Sequence, residues 1–140
     1  MKATHFLTIS SVHALVFTLM LKFLSVFDYI TWNPISWTNK WQVFSEAHTF
    51  VKWVLTFIVI FLVINIAMAL FLLIKKMPAI ATSIVVGLAI WILLEWSIYQ
   101  DFSHISWKSI PIITAILMVS RALAETVVYY DQEVYEDKRK

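Results

Sequence analysis

The chain has 140 residues, of which 61% are hydrophobic and only 14% are charged, and its mean hydropathy is +0.79. Soluble domains are far less apolar, so this composition indicates an integral membrane protein. The net charge of +2 is thinly spread, which excludes the concentrated basic face of a nucleic-acid-binding protein, and the lack of cysteine excludes disulfides and thiolate metal sites.

Four stretches are long and apolar enough to cross a bilayer, which takes about 20 helical residues. They are residues 6–27, 50–74, 78–99 and 110–130. Because the first stretch outruns a signal peptide and no small-residue cleavage motif follows it, we expect an uncleaved span. With an outer loop at 28–49 and a cytoplasmic tail at 131–140, residues 1–140 form one membrane domain. The predicted fold is all-α, an antiparallel bundle of four transmembrane helices joined by consecutive hairpins.

The connection between the second and third spans is the shortest in the chain. The most apolar run, 54–74, ends at the sequence Lys-Lys-Met-Pro of residues 75–78. Such a short turn predicts that these two spans form a tight antiparallel hairpin, with proline tolerated at a helix start. Ala79, Ser83 and Gly87 then recur at every fourth position, and this stripe of small residues predicts close approach of another helix.

The distribution of basic residues predicts the orientation, because short cytoplasmic loops carry the excess of Lys and Arg. Placing both termini inside leaves only Lys40 and Lys108 in the outer loops. The basic residues on the cytoplasmic side are then Lys2, Lys75, Lys76, Lys138, Arg139 and Lys140. We therefore predict a multi-pass protein of the cell membrane with its N-terminus and C-terminus both in the cytoplasm.

The outer loop is rich in tryptophan. Trp32, Trp37 and Trp41 lie in it, and Trp53 follows at the start of span two. This spacing is typical of an aromatic belt at the membrane interface. The alternative is a re-entrant or ligand-capping loop, which the turn-forming pair Asn33-Pro34 also allows.

Charged side chains near the outer ends of the spans form a first polar layer. Lys22 and Lys52 fall near the outer ends of spans one and two, and Glu95 lies one turn inside the end of span three. Because an unpaired charge in the membrane is costly, we expect Glu95 to pair with one of these lysines. The alternative is that Glu95 is the single carboxylate of a cation or proton carrier.

A second polar layer is expected deeper, on the cytoplasmic side. It contains His13, Asn65 and Arg121, with Glu125 one turn nearer the cytoplasm. Asn65 is expected to form an interhelical hydrogen bond. Arg121 and Glu125 are four residues apart and share a helical face. Either Arg121 reaches the headgroups while Glu125 neutralises it, or the two form a buried ion pair that lines a binding site or coupling path.

The sequence shows no pattern that carries catalysis. Only His48 and His104 among the histidines could meet, which is too little for a metal site, and no nucleophile lies in a recognisable motif with a base. We therefore expect no enzyme, cofactor or metal. The predicted function is a non-enzymatic accessory or regulatory subunit that contacts lipid and packs against another membrane protein or itself. The alternative is a small oligomeric transporter or channel that uses Glu95, Arg121 and Glu125.

Overall fold

The computed structural model describes residues 3–74, 76–103 and 105–137, and these contain helices and no strands. Four helices are long and apolar enough to cross a membrane, which confirms that part of the predicted fold. The helices are α1 (Ala3–Val26), α2 (Trp37–Lys40), α3 (Thr49–Leu73), α4 (Ala79–Tyr99) and α5 (Ile110–Asp137), with a 3₁₀ turn at Trp107–Ser109 before α5. The last helix therefore continues into the predicted tail.

The polar residues of the helices satisfy much of their hydrogen bonding locally. The hydroxyls of Ser11, Thr18 and Thr126 each donate to the carbonyl oxygen four residues earlier, at 2.7 to 2.8 Å. Burying such a hydroxyl in an apolar environment costs little free energy, because its O–H donor already has a hydrogen-bond acceptor. The chain can therefore carry many Ser and Thr residues within helices that are otherwise hydrophobic.

Helix α5 is the centre of the bundle, because it packs against α1, α3 and α4, while α1 also packs against α3. The Ser10 hydroxyl lies 3.1 Å from the sulfur of Met68, so the first half of α1 meets the second half of α3. The rings of His5 and Tyr130 are 5.7 Å apart, so the start of α1 meets the far part of α5. Helix α1 is therefore antiparallel to both neighbours.

The expected hairpin between spans two and three is not a closely packed pair, and α4 packs against α5 instead. The reason is the stripe of small residues. A Cβ atom on Gly87 would lie 2.8 Å from Leu117 Cδ2 and 3.2 Å from Ser120 Oγ, so α5 occupies the space beside this glycine. The predicted close approach at Gly87 is confirmed, but the helix that approaches is the next one in the chain.

The bundle has two ends that differ in their connections. The start of α1, residues 74 and 76–78 between α3 and α4, and the last turns of α5 lie at one end, which we call the terminal end. Residues 27–48, 100–103 and 105–109 lie at the other, which we call the loop end. Neither name implies a side of a membrane.

Residues 27–48 fold onto the loop end as a cap. Thr38 is fully buried, the indole N–H of Trp37 donates to Thr56 Oγ1 of α3 at 2.9 Å, and the ammonium group of Lys40 donates to the carbonyl oxygen of Ser97 on α4 at 3.3 Å. The loop is thus tied to two helices that do not pack closely on each other.

Candidate functional site

The deep polar residues of the first two long helices are satisfied within their own helices. His13 Nδ1 lies 2.8 Å from the carbonyl oxygen of Ile9, and Asn65 Nδ2 donates to the carbonyl oxygen of Phe61 at 2.6 Å. Neither bond crosses to another helix. Among the described residues, these side chains are therefore not joined into a shared polar layer, and the expected interhelical bond of Asn65 is not found.

Arg121 and Glu125 pair with each other on the outside of the bundle. Arg121 Nε lies 2.5 Å from Glu125 Oε1, and the two side chains are 46% and 56% exposed. They line an open groove of about 450 Å³ together with Thr114 and Met118. Of the two expected arrangements, burial of the pair between the four helices is not found. The i, i+4 spacing explains why the pair forms without help from a second helix.

A broad apolar groove runs between α1 and α5 and meets the groove of the ion pair. It has a volume of about 590 Å³ and is lined by residues of both helices, including Val16, Met20 and Phe23 on α1. Thr114 and Met118 belong to both grooves. The two grooves therefore form one continuous surface, which we call the α1–α5 face.

The expected ion pair of Glu95 with a lysine is wrong. The ammonium group of Lys52 donates to Asn39 Oδ1 of the loop at 2.8 Å, and that of Lys22 lies 6.0 Å from the ring centre of Trp53. Both lysines belong to the paired helices α1 and α3, whereas Glu95 is on α4, which packs against α5. The ion pair was predicted from the similar depth of Glu95 and the lysines along their helices. These helices do not lie side by side in the bundle, so the ion pair does not form.

Glu95 is instead buried without a partner. Only 3% of this residue is exposed, and its Oε2 atom has no hydrogen-bond partner among the described residues. Trp91, four residues earlier on the same face of α4, has an indole N–H that is also buried and unpartnered in the described part of the chain. Unmet polar groups in a folded interior are uncommon and costly, so they mark sites that need an explanation.

Glu95 lines a cavity of about 320 Å³ at the loop end. Four segments build its wall: the loop after α1, the end of α4, the 3₁₀ turn and the start of α5. The residues besides Glu95 are Ile30, Thr31, Trp32, Tyr99, Ser106, Lys108, Ser109 and Ile112. The lining residues thus combine a carboxyl group, an ammonium group, four hydroxyls and two aromatic side chains, which is the composition of a small-molecule site.

Hydrogen bonds hold much of this wall in place. The hydroxyls of Thr31 and Tyr99 lie 2.9 Å apart, which joins the loop to the end of α4. Ser106 and Ser109 cap the 3₁₀ turn reciprocally, since Ser106 Oγ accepts from the Lys108 N–H at 3.3 Å and Ser109 Oγ accepts from the Ser106 N–H at 3.4 Å. One part of the wall is therefore held by a contact between distant segments, and the other part by local bonds within the 3₁₀ turn.

The sequence singled out Glu95 but missed the residues around it. Lys108 entered the prediction only as an outer-loop charge, and the two serines carried no signal at all. Trp32 belonged to the stretch for which a ligand-capping role was the alternative, and this was the one available hint. No pattern in the sequence places Thr31 beside Tyr99, because 68 residues separate them along the chain.

No protein-family model, curated protein or solved structure matches this chain. The geometry of its own residues must therefore carry any functional conclusion.

The histidines weighed for metal binding have other surroundings. His48 Nδ1 accepts a hydrogen bond from the Phe50 N–H at 3.2 Å and thereby caps the start of α3. His104 lies outside the described residues. Within the described ranges, no group of three or more His, Asp or Glu side chains could hold a metal ion.

Proposed function

We propose that this chain is a non-enzymatic accessory or regulatory subunit in the cell membrane, which packs against a membrane-spanning helix of a different protein. The four long helices support membrane insertion, since only 28% to 44% of each apolar window is buried within the chain. The remaining apolar surface requires lipid or protein around it. The basic residues near the 74–78 connection favour a cytoplasmic position for the terminal end.

The observation that carries the proposal is the position of the Arg121–Glu125 pair. The apolar segment around it extends from Trp107 to Glu133, so at 1.5 Å per residue Arg121 lies about 20 Å from either end. A charge at the centre of a membrane-spanning helix costs about 2.5 to 3.5 kcal/mol. Because the pair is on the outside of the bundle, the four helices do not shield it. A partner that covers the pair would remove this cost.

The pair also has hydrogen-bonding capacity left for such a partner. The guanidinium group has five N–H donors, and only the one on Nε bonds to Glu125. The second carboxylate oxygen of Glu125 can accept as well. A partner helix with an amide, a hydroxyl or an acidic side chain at this depth would complement both groups. The adjoining apolar part of the α1–α5 face would hold the same helix by packing.

Site-specific crosslinking tests this proposal directly. A photoreactive residue at Met118, which is 61% exposed on the α1–α5 face, should crosslink in intact membranes to one protein at a defined mass. The same residue at Leu93, which is 69% exposed on α4, is the matched control and should give lipid adducts only. Purification in mild detergent and mass spectrometry then identify the crosslinked protein.

Paired substitutions test whether the Arg121–Glu125 ion pair is needed for the crosslink at Met118. Replacing Arg121 and Glu125 together by Leu should abolish the crosslink at Met118 while the chain still inserts. The control changes Tyr129→Phe and Glu133→Gln, which disrupt another exposed i, i+4 pair near the end of α5. This control should keep the crosslink. A pair that only reaches the headgroups would leave crosslinking unchanged in both variants, and a crosslink solely to a second copy of the chain would also overturn the proposal.

A small oligomeric transporter or channel is the second candidate, and the unpartnered Glu95 is what favours it. The structure separates Glu95, inside the loop end, from the Arg121–Glu125 pair on the outer surface, so the three residues line no common path in one chain. Flux would therefore need an oligomer. Ion or proton flux in proteoliposomes that is lost in Glu95→Gln would support this candidate over the first.

A further inference from the structure

The cavity at the loop end contains groups of both charges that the fold itself does not pair. Glu95 makes no hydrogen bond or ion pair with another described residue, although it is only 3% exposed. The ammonium group of Lys108 also forms no hydrogen bond or ion pair within the described part of the chain, although Lys108 lines the same cavity. The carboxyl of a buried residue and the ammonium group of an exposed residue therefore belong to one cavity without pairing with each other.

Two properties of the cavity limit what it can hold. Its volume of about 320 Å³ corresponds to roughly ten water-sized groups. A simple organic cation would suit Glu95 and the rings of Trp32 and Tyr99, but Lys108 would repel it. A simple anion would suit Lys108, but Glu95 would repel it. A molecule that carries both charges a few bonds apart satisfies both residues.

We propose that the Glu95 cavity binds a small zwitterion, with its primary ammonium group at Glu95 and its phosphate or carboxylate group at Lys108. The hydroxyl groups of Thr31, Ser106 and Ser109 supply further hydrogen bonds, and the rings of Trp32 and Tyr99 cover the carbon atoms between the charges. This chemistry occurs both in the ethanolamine phosphate headgroup of a phospholipid and in free amino zwitterions. The site is independent of the α1–α5 face.

Calorimetric titration of the purified full chain in an uncharged maltoside detergent tests the assignment. The probes are O-phosphoethanolamine and glycine, with ethanolamine alone and inorganic phosphate alone as the single-charge comparisons. At least one zwitterion should bind, and each single-charge probe should bind at least tenfold more weakly. Ethanolamine binding as tightly as either zwitterion would overturn the role given to Lys108.

Native mass spectrometry distinguishes the two sources of the ligand. Nanodiscs with phosphatidylethanolamine are compared with nanodiscs that contain only phosphatidylglycerol. Retention of phosphatidylethanolamine, with weak binding of the free zwitterions, identifies a lipid headgroup, whereas the reverse identifies a free small molecule. Both results support the site, and absence of binding in both experiments would overturn it.

Single substitutions test whether the ligand binds in the Glu95 cavity. Glu95→Gln and Lys108→Gln should each weaken binding at least tenfold, and the exposed Lys108 can be changed without risk to folding. The matched controls are Glu46→Gln in the loop and Lys76→Gln near the terminal end, both outside the cavity. Equal binding by all four variants and the original chain would show that the ligand sits elsewhere and would overturn the proposal.

Discussion

Glu95 and the Arg121–Glu125 pair represent two ways in which one bundle places charge within apolar helices. On α5 the charge is compensated one turn away, and the pair lies on the outer surface. On α4 the carboxyl is buried and uncompensated, and a loop, a 3₁₀ turn and α5 surround it. A charge neutralised within its own helix needs no second helix of the same chain in order to form its ion pair. A lone buried carboxyl needs either tertiary support or a ligand, so it is the more informative of the two.

The largest expected effect comes from a substitution that pushes α4, which carries Glu95, away from α5, which carries the Arg121–Glu125 pair. Gly87→Leu would force its side chain into Leu117 and Ser120, where even a Cβ atom would come within 2.8 Å of a neighbour. Overpacking of this kind costs about 1 to 3 kcal/mol, and we expect the upper part of this range because α4 and α5 are in close contact. Thermal unfolding in detergent, followed by circular dichroism, measures it.

The control for this change is Ala89→Leu, because Ala89 is an exposed position of the same helix. It should unfold at the temperature of the original chain. The Gly87 variant should also lose zwitterion binding, because displacement of α4 from α5 opens the Glu95 cavity, while the Arg121–Glu125 pair survives. Equal stability of the two variants would contradict the close packing at Gly87.

At Glu95 we expect a substitution to raise the stability of the folded chain, whereas the substitution at Gly87 lowers it. Glu95→Met replaces an unpartnered buried carboxyl by an apolar side chain of similar length, so the ligand-free protein should become more stable by about 1 to 3 kcal/mol. The comparison is made by thermal unfolding in a detergent without added zwitterion. A loss of stability would mean that the carboxyl has a partner within the folded chain, and the contrast between the two regions would fail.

The smallest effect is expected at the surface pair. Glu125→Gln removes one charge of an i, i+4 pair that is about half exposed in the isolated chain. Where water and detergent headgroups reach such a pair, it contributes about 0.3 to 0.5 kcal/mol. The unfolding temperature of the isolated chain should therefore barely change. Association with the partner should fall nonetheless, as the crosslink at Met118 would show. A large loss of stability without any change in association would place the role of the pair inside the chain.

Local chemistry was predictable from residue spacing. The Arg121–Glu125 pair, the small-residue stripe at Gly87 and the four long helices all follow from patterns within one helix. The errors have two causes. Asn65 was expected to bond to another helix but donates to Phe61 of its own helix, and the other errors concerned which helices are neighbours. Depth along a helix can be counted from the sequence, but the angle around the bundle cannot, so Lys22 and Lys52 were matched to Glu95 by depth alone.

The sequence by itself determined that the chain is helical, that four helices are long enough to cross a membrane, and that few charges lie within them, because these properties depend on composition and on the rise of a helix. Only the tertiary structure decided that α5 lies at the centre, that Glu95 is left unpaired, and that Lys108, Thr31 and Trp32 share its cavity. Those outcomes depend on side-chain volume at helix contacts, where the lack of a side chain at Gly87 allows α5 to lie close against α4.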